Sequence, residues 1–159
     1  MRFSERDAVH ADEVVGEVIN GHLVPDQDEV SHGRGLGELS RTMGMHLVRF
    51  SAEHSIAVMR VEGNTQPIGL LHGGAYCVLG ESLGSMSANF FARTISDDHY
   101  AVGIDINATH TGSATSGWVT GECRAIHLGR SMTVHEIVIT DGDGRRCSTV
   151  RITNLIRER

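Results

Sequence analysis

With 159 residues, a net charge of −6 and 40% hydrophobic residues, the chain is long enough for one packed domain. It carries no Lys/Arg-rich stripe, which excludes an electrostatic nucleic-acid surface. No apolar run reaches the roughly 20 residues that cross a bilayer, and the N-terminus has no apolar signal region, so neither a membrane partner nor export is expected. The three cysteines, Cys77, Cys123 and Cys147, sit in apolar or strand-like surroundings and fit reduced, buried thiols of a cytoplasmic protein better than disulfides.

Residues 1–33 read as an acidic arm, with Asp12, Glu13, Glu17, Asp26, Asp28 and Glu29, in front of a domain over 34–159. Within the arm, Val14, Val15, Val18 and Ile19 predict a short helix ended by Asn20-Gly21. Leu36 to Met43 predicts a second short helix that stops near Gly44. Met45–Phe50 and Ser55–Val61 predict two strands joined by Ser51-Ala-Glu-His54. A long apolar helix follows from about Gly73 to Arg93. Beyond it come extended segments over Ala101–Thr109, Gly117–His127, Ser131–Thr140 and Cys147–Leu155, the last two flanking the turn Asp141-Gly-Asp-Gly144. Two strands, one long helix and a meander of strands make an α+β fold, an antiparallel sheet with one main helix on a face.

The long helix carries the chemistry. Projected at about 100° per residue, Tyr76, Leu79, Leu83, Met86 and Phe90 share a large apolar side. Gly74, Cys77, Val78, Glu81, Gly84, Ser85 and Ala88 share the other, and Glu81 is its one acid. A solvated helix face normally holds several charges, so a lone carboxylate among small residues points to a ligand-facing group rather than a surface Glu. His72-Gly73-Gly74 enters the helix, where the first N–H groups lack intrahelical partners. Such an amide, aided by the helix dipole, can polarise a carbonyl oxygen.

At these residues the chain resembles the hotdog-fold acyl-CoA thioesterases. Within them it is similar to the branch of phenylacetate-pathway and second-type 4-hydroxybenzoyl-CoA thioesterases, and there to the enterobactin proofreading thioesterases and 1,4-dihydroxy-2-naphthoyl-CoA hydrolases. The likeness runs collinearly over about residues 36–155 through Gln66-Pro67, Gly69-Leu-Leu-His-Gly-Gly-Ala75, Glu81-Ser-Leu-Gly-Ser-Met86, Asn107-Ala-Thr-His110, His127-Leu-Gly-Arg130 and Asp143-Gly-Arg-Arg-Cys147. It implies a hotdog fold, with the sheet wrapped around the central helix. It implies Glu81 as general base or nucleophile, Gly73 as backbone donor to the thioester oxygen, Gln66 and His72 as holders of the thioester or the attacking water, and Ser85 as the group orienting water or Glu81. Family sites lie between subunits, so Gln66, His72 and Gly73 face Glu81 and Ser85 of a partner copy in a homodimer, itself half of a homotetramer. The coenzyme A channel falls to Gly103, His110, Thr111, Gly112 and Ser113, and to His127, Leu128, Gly129, Arg130, Ser131 and Met132, with Arg130 near phosphate. The family needs no cofactor, since coenzyme A is part of the substrate. Tyr76 and Cys77 stand where the group carries smaller residues, and Gly80 where it carries Ala, which bears on the shape of the acyl pocket.

The other polar residues say less. Ten histidines show no HExxH or Cys/His ligand spacing, so no metal site is expected. His110 reads equally well as a strand-end histidine and as a site residue on its own pattern. Cys77 has no base partner in sequence and reads as a buried thiol. The expected reaction is hydrolysis of an acyl-CoA thioester with an aromatic or hydroxyaromatic acyl group. A non-catalytic acyl-CoA-binding protein would not need Glu81, Gln66 and Ser85 together, and a hydratase would need an Asp/His dyad that the chain lacks. A carrier-protein thioester is the alternative substrate.

Overall fold

The computed structural model describes residues 14–159; the start of the acidic arm, with Asp12 and Glu13, lies outside them. In chain order the elements are β1 (Val18–Ile19), β2 (His22–Leu23), α1 (Gln27–Val30), α2 (Gly37–Thr42), β3 (Met45–Arg49), β4 (His54–Arg60), α3 (Gly73–Ile95), β5 (His99–His110), β6 (Trp118–Leu128), β7 (Met132–Thr140) and β8 (Arg146–Glu158). Strands β3 to β8 form one antiparallel sheet in the order β3-β4-β6-β7-β8-β5. Alternate residues of its strands, among them Ala57, Met59, Val119, Cys123, Ile137, Ile139, Val150 and Ile152, are buried with Tyr76, Leu79 and Leu83 of α3 in one core. A single long helix wrapped by an antiparallel sheet is the hotdog arrangement.

Two expectations need correction. First, Val14 to Ile19 do not form a helix: β1 and β2 make a hairpin, with Val18 opposite Leu23 and Ile19 opposite His22. Asn20 and Gly21 have φ of 49° and 81°, the left-handed pair of a two-residue hairpin turn that Asn-Gly favours. Six residues are also too few to nucleate a helix unaided. The hairpin packs Val14, Ile19 and Val24 on Val58, on the sheet face away from α3. Second, the strand after α3 does not begin a meander. β5 crosses to the far edge and pairs with β8, with Gly103 opposite Asn154 and His110 opposite Ser148. Alternation along a strand reveals its faces but not its neighbour, because ladder partners are non-local. The small residues of α3 serve a close approach of the sheet. A Cβ on Gly80 would lie 2.6 Å from Val150 Cγ1, and one on Gly84 would run into Ile152. These glycines let β8 approach the helix.

The two edges of the sheet differ. At β3, the carboxamide of Gln27 occupies both backbone groups of Leu47, donating to its carbonyl at 3.0 Å and accepting from its N–H at 2.7 Å. That blunts the edge. At β5 the free edge runs for 12 residues, with Val102, Ile104 and Ile106 exposed.

Candidate active site

The turn before α3 is built by its own backbone. Gly69 N–H donates to the Gln66 carbonyl at 2.9 Å, Gln66 N–H to Leu70 O at 2.8 Å, and His72 N–H to Asn64 O at 2.9 Å. His72 is extended, with φ −62° and ψ 135°, and caps the helix. Its Nδ1 accepts the Gly74 N–H at 2.8 Å, so the neutral ring carries its proton on Nε2. The Ala75 N–H is taken by the His72 carbonyl at 2.8 Å. Of the first-turn donors, the Gly73 N–H has no partner among the described residues. Gly73 leaves room for His110: a Cβ there would lie 3.0 Å from His110 Nε2, and the ring would have to give way. The His110 ring is fixed by Ser148 Oγ, 2.9 Å from Nδ1, and packs on Tyr76 with ring centroids 5.2 Å apart. Burial first of all pushes the Tyr76 hydroxyl up to about 12, and its oxygen accepts the Ala114 N–H at 3.1 Å. Tyr76 is thus a core residue that braces the turn.

Two turns into the helix, Glu81, Ser85 and Asn89 repeat at intervals of four and share one stripe. Ser85 Oγ donates to Glu81 Oε1 at 2.8 Å and lies 3.2 Å from Asn154 Oδ1 of β8. Asn89 donates to the carbonyls of Ser85 and Ala101 at 3.0 and 3.1 Å and accepts the Ala101 N–H at 2.9 Å. It ties this stretch of helix to β5. The half-buried Glu81 carboxylate lies over Gly103, where a Cβ would stand 2.8 Å from Oε1. A register shift between Gly103 and Asp105 bends β5 at this point, the kind of local irregularity that re-aims groups beside a site.

These two clusters occupy opposite ends of the sheet. Gly103 pairs with Asn154, and His110 with Ser148. Six residues of β8 at about 3.3 Å each separate the rows by about 20 Å. Along α3, the eight residues from Gly73 to Glu81 rise about 12 Å. The predicted coenzyme A segments divide the same way. Thr111 and Gly112 donate to Cys147 O at 2.9 and 3.1 Å, beside His110, with Ser113 exposed after them. The β6–β7 turn, His127 to Met132, sits at the other end: Met132 pairs with Leu155, and Ser131 O accepts the Ile156 N–H at 2.9 Å. Leu128 and Gly129 are half-buried there, while His127 and Arg130 are exposed. One chain therefore joins Glu81, Ser85 and Gly103 with the 127–132 turn, and Gly73 and His72 with His110.

Two residues at the site were missed in the sequence. Asn89 was visible as the third member of the four-residue stripe. Asn154 was visible as a polar residue in the inward series Val150, Ile152, Asn154, Ile156 of β8. Among the described residues, no three His, Cys, Asp or Glu side chains are grouped to hold a metal ion, and all three cysteines are free. Burial pushes the Cys77 thiol up and that of Cys123 up to about 12, which disfavours the nucleophilic thiolate. No described helix is long and apolar enough to cross a membrane.

Comparison with known proteins agrees with this architecture. Residues 68–148 match the thioesterase superfamily. The chain is 39% identical over 129 residues to the proofreading thioesterase EntH of Cronobacter turicensis, covering 80% of this chain and 92% of that protein. Among solved structures, a variant of the thioesterase PA1618 of Pseudomonas aeruginosa superposes with a TM-score of 0.76 at 35% identity, covering 85% of this chain and 96% of that one. The thioesterase HI1161 of Haemophilus influenzae superposes with a TM-score of 0.71 at 30% identity, over 77% and 84% of the two chains.

Proposed function

The chain belongs to the thioesterase superfamily and is an enzyme that hydrolyses thioesters, and from that premise we propose that it cleaves an acyl-CoA thioester bearing an aromatic or hydroxyaromatic acyl group, with Glu81 as general base or nucleophile. The observation that carries this reading is the Glu81 carboxylate, half-buried, held by the Ser85 hydroxyl at 2.8 Å and facing the notch left by Gly103. Thioester hydrolysis needs a polarised carbonyl and an activated attacker. The open Gly73 N–H at the positive end of α3 suits the first need. Glu81 suits the second, either by taking a proton from water or by attacking the carbonyl carbon to give an anhydride that water then opens.

The two groups belong to different copies of the chain. Carbonyl carbon and oxygen are about 1.2 Å apart, whereas Gly73 and Glu81 of one helix are about 12 Å apart along its axis. A second copy added to the exposed β5 edge by a two-fold axis runs antiparallel and brings its His72–Gly73 end toward Glu81. Gln66 and His72 of that copy then hold the thioester or the water. The homodimer supplies two such sites, and two dimers make the proposed homotetramer. Exposed Arg130 suits a coenzyme A phosphate as a mobile charge at the channel mouth. The carrier-protein thioester uses the same carbonyl chemistry and differs only in what the channel mouth receives.

The test is thioester hydrolysis followed by free-thiol detection. Glu81→Ala should fold and lose about 10²-fold or more in kcat; a folded variant with near-native kcat ends the assignment. Mixed His72→Ala and Glu81→Ala subunits should regain activity in hybrid dimers, and a fully active monomer refutes the shared site. A hydroxybenzoyl-CoA should exceed a long-chain acyl-CoA in kcat/KM. A tenfold preference for the long chain, about 1.4 kcal/mol, overturns the aromatic assignment, and hydrolysis of the carrier-bound but not the CoA thioester overturns the CoA one.

A further inference from the structure

Asn154 is fully buried on β8, at a position whose neighbours in the inward series are Val150, Ile152 and Ile156. A carboxamide there is costly unless its hydrogen bonds are used. Its Oδ1 lies 3.2 Å from Ser85 Oγ, and its Nδ2 is buried with no partner among the described residues. Ser85 has one hydroxyl proton, and an ionised carboxylate can only accept. The 2.8 Å bond from Ser85 to Glu81 Oε1 therefore uses that proton. The contact with Asn154 is then satisfied only if Asn154 is the donor, with its amide turned so that Nδ2 faces Ser85 Oγ. Rotation about the last side-chain bond exchanges two ends of nearly equal size and needs no other movement.

We infer that Asn154 is a positioning residue of the thioesterase site: it donates to Ser85, and so commits the Ser85 proton to Glu81. The inference rests on the reading of Glu81 as base or nucleophile. Without the donor from β8, the Ser85 hydroxyl can rotate to other acceptors, and the carboxylate loses the bond that fixes its direction beside Gly103. The Asn154–Gly103 pairing places this donor in the row directly under the notch. The hydrogen-bond chain from Asn154 through Ser85 to the accepting Glu81 carboxylate thus runs from the core to the reacting group, and Asn89 holds the backbone of its middle member.

The experiment separates this role from mere packing. Asn154→Leu keeps much of the volume in an apolar site without the donor, and Asn154→Ala removes both. Each is measured alone and combined with Ser85→Ala, with kcat, KM and Tm recorded. Folded Asn154→Leu should lose about tenfold in kcat with KM within about twofold. Adding Asn154→Leu to Ser85→Ala should then cost less than twofold more, because the two act through one chain. Effects that multiply, or an Asn154→Leu variant with native kcat, overturn the inference. Should Asn154→Leu not fold, the same cycle with Asn154→Ala is decisive on the same terms. Glu81→Gln run alongside keeps the outcomes apart: an active Glu81→Gln removes the reading of Glu81, whereas an inactive one with a multiplying cycle removes only the role of Asn154.

Discussion

Gly103→Ala should damage activity while sparing the fold, and the structure gives the reason for the separation. Gly103 lies in β5, and its φ is not among the positive ones, so alanine fits the backbone without strain. The new methyl would stand 2.8 Å from Glu81 Oε1 and 3.6 Å from Asn154 Oδ1. A comfortable separation is about 3.5 Å, so the carboxylate must retreat by about 0.7 Å. Glu81 Oε1 is the far end of a flexible side chain, and its escape costs stability within about 1 kcal/mol. Catalysis is less forgiving: a misplacement near 1 Å can cost about 10²-fold, and the retreat also strains the 2.8 Å bond from Ser85. The expected result is a kcat loss of about 10- to 100-fold, about 1.4 to 2.7 kcal/mol in the barrier, with Tm within a few degrees of wild type. The assay is steady-state hydrolysis with thiol detection beside a thermal melt. A Gly103→Ala protein with native kcat and native Tm would show that the Glu81 position in this structure is not the working one, and would refute the reasoning.

Three further outcomes follow from particular contacts. His72→Asn should keep the helix cap, since Asn is a good N-cap, whereas His72→Ala should lose about 1 kcal/mol in urea denaturation; a kcat/KM drop in His72→Asn at native stability assigns the ring itself to substrate, and native kcat/KM leaves His72 only a capping role. Gly84→Ala should destabilise in spite of a helix-propensity gain of about 1 kcal/mol, because the methyl meets branched Ile152 in the core and overpacking costs about 1–3 kcal/mol; a higher melting temperature would contradict the close helix–sheet approach. Buried His135 sits 2.9 Å from Ala52 O through Nε2, and burial holds its pKa below the usual value. Below about pH 6.5 the unfolded chain binds a proton that the folded one refuses, so stability falls as pH drops from there toward the lowered folded value. His135→Gln should flatten that part of the Tm-against-pH curve, and an unchanged slope would exclude His135 as its source.

Much of this protein was legible in one dimension because the signals are local. The 3.6-residue period from Gly73 onward marked α3, and period-2 alternation marked the strands of the sheet. Gly73 at the start of the helix, and Glu81 one turn away from Ser85, were visible because a helix turns sequence spacing directly into neighbours. The family was visible because its motifs lie in those same local stretches. Even Asn154 left a trace, a carboxamide in an apolar inward series.

Other features depended on contacts between distant parts of the chain. Asn20-Gly21 set a tight reversal, but only packing of Ile19 and Val24 on Val58 made it a hairpin rather than the end of a helix. The pattern of β5 is the same whichever strand it joins, and its pairing with β8 is what sets Gly103 beneath Glu81. Small residues on α3 allow a close approach, but only the fold shows that Val150 and Ile152 of β8 are what meets Gly80 and Gly84. Above all, the roughly 12 Å between Gly73 and Glu81 turns a motif continuous in sequence into two half-sites, because a helix separates along its axis what the sequence writes side by side.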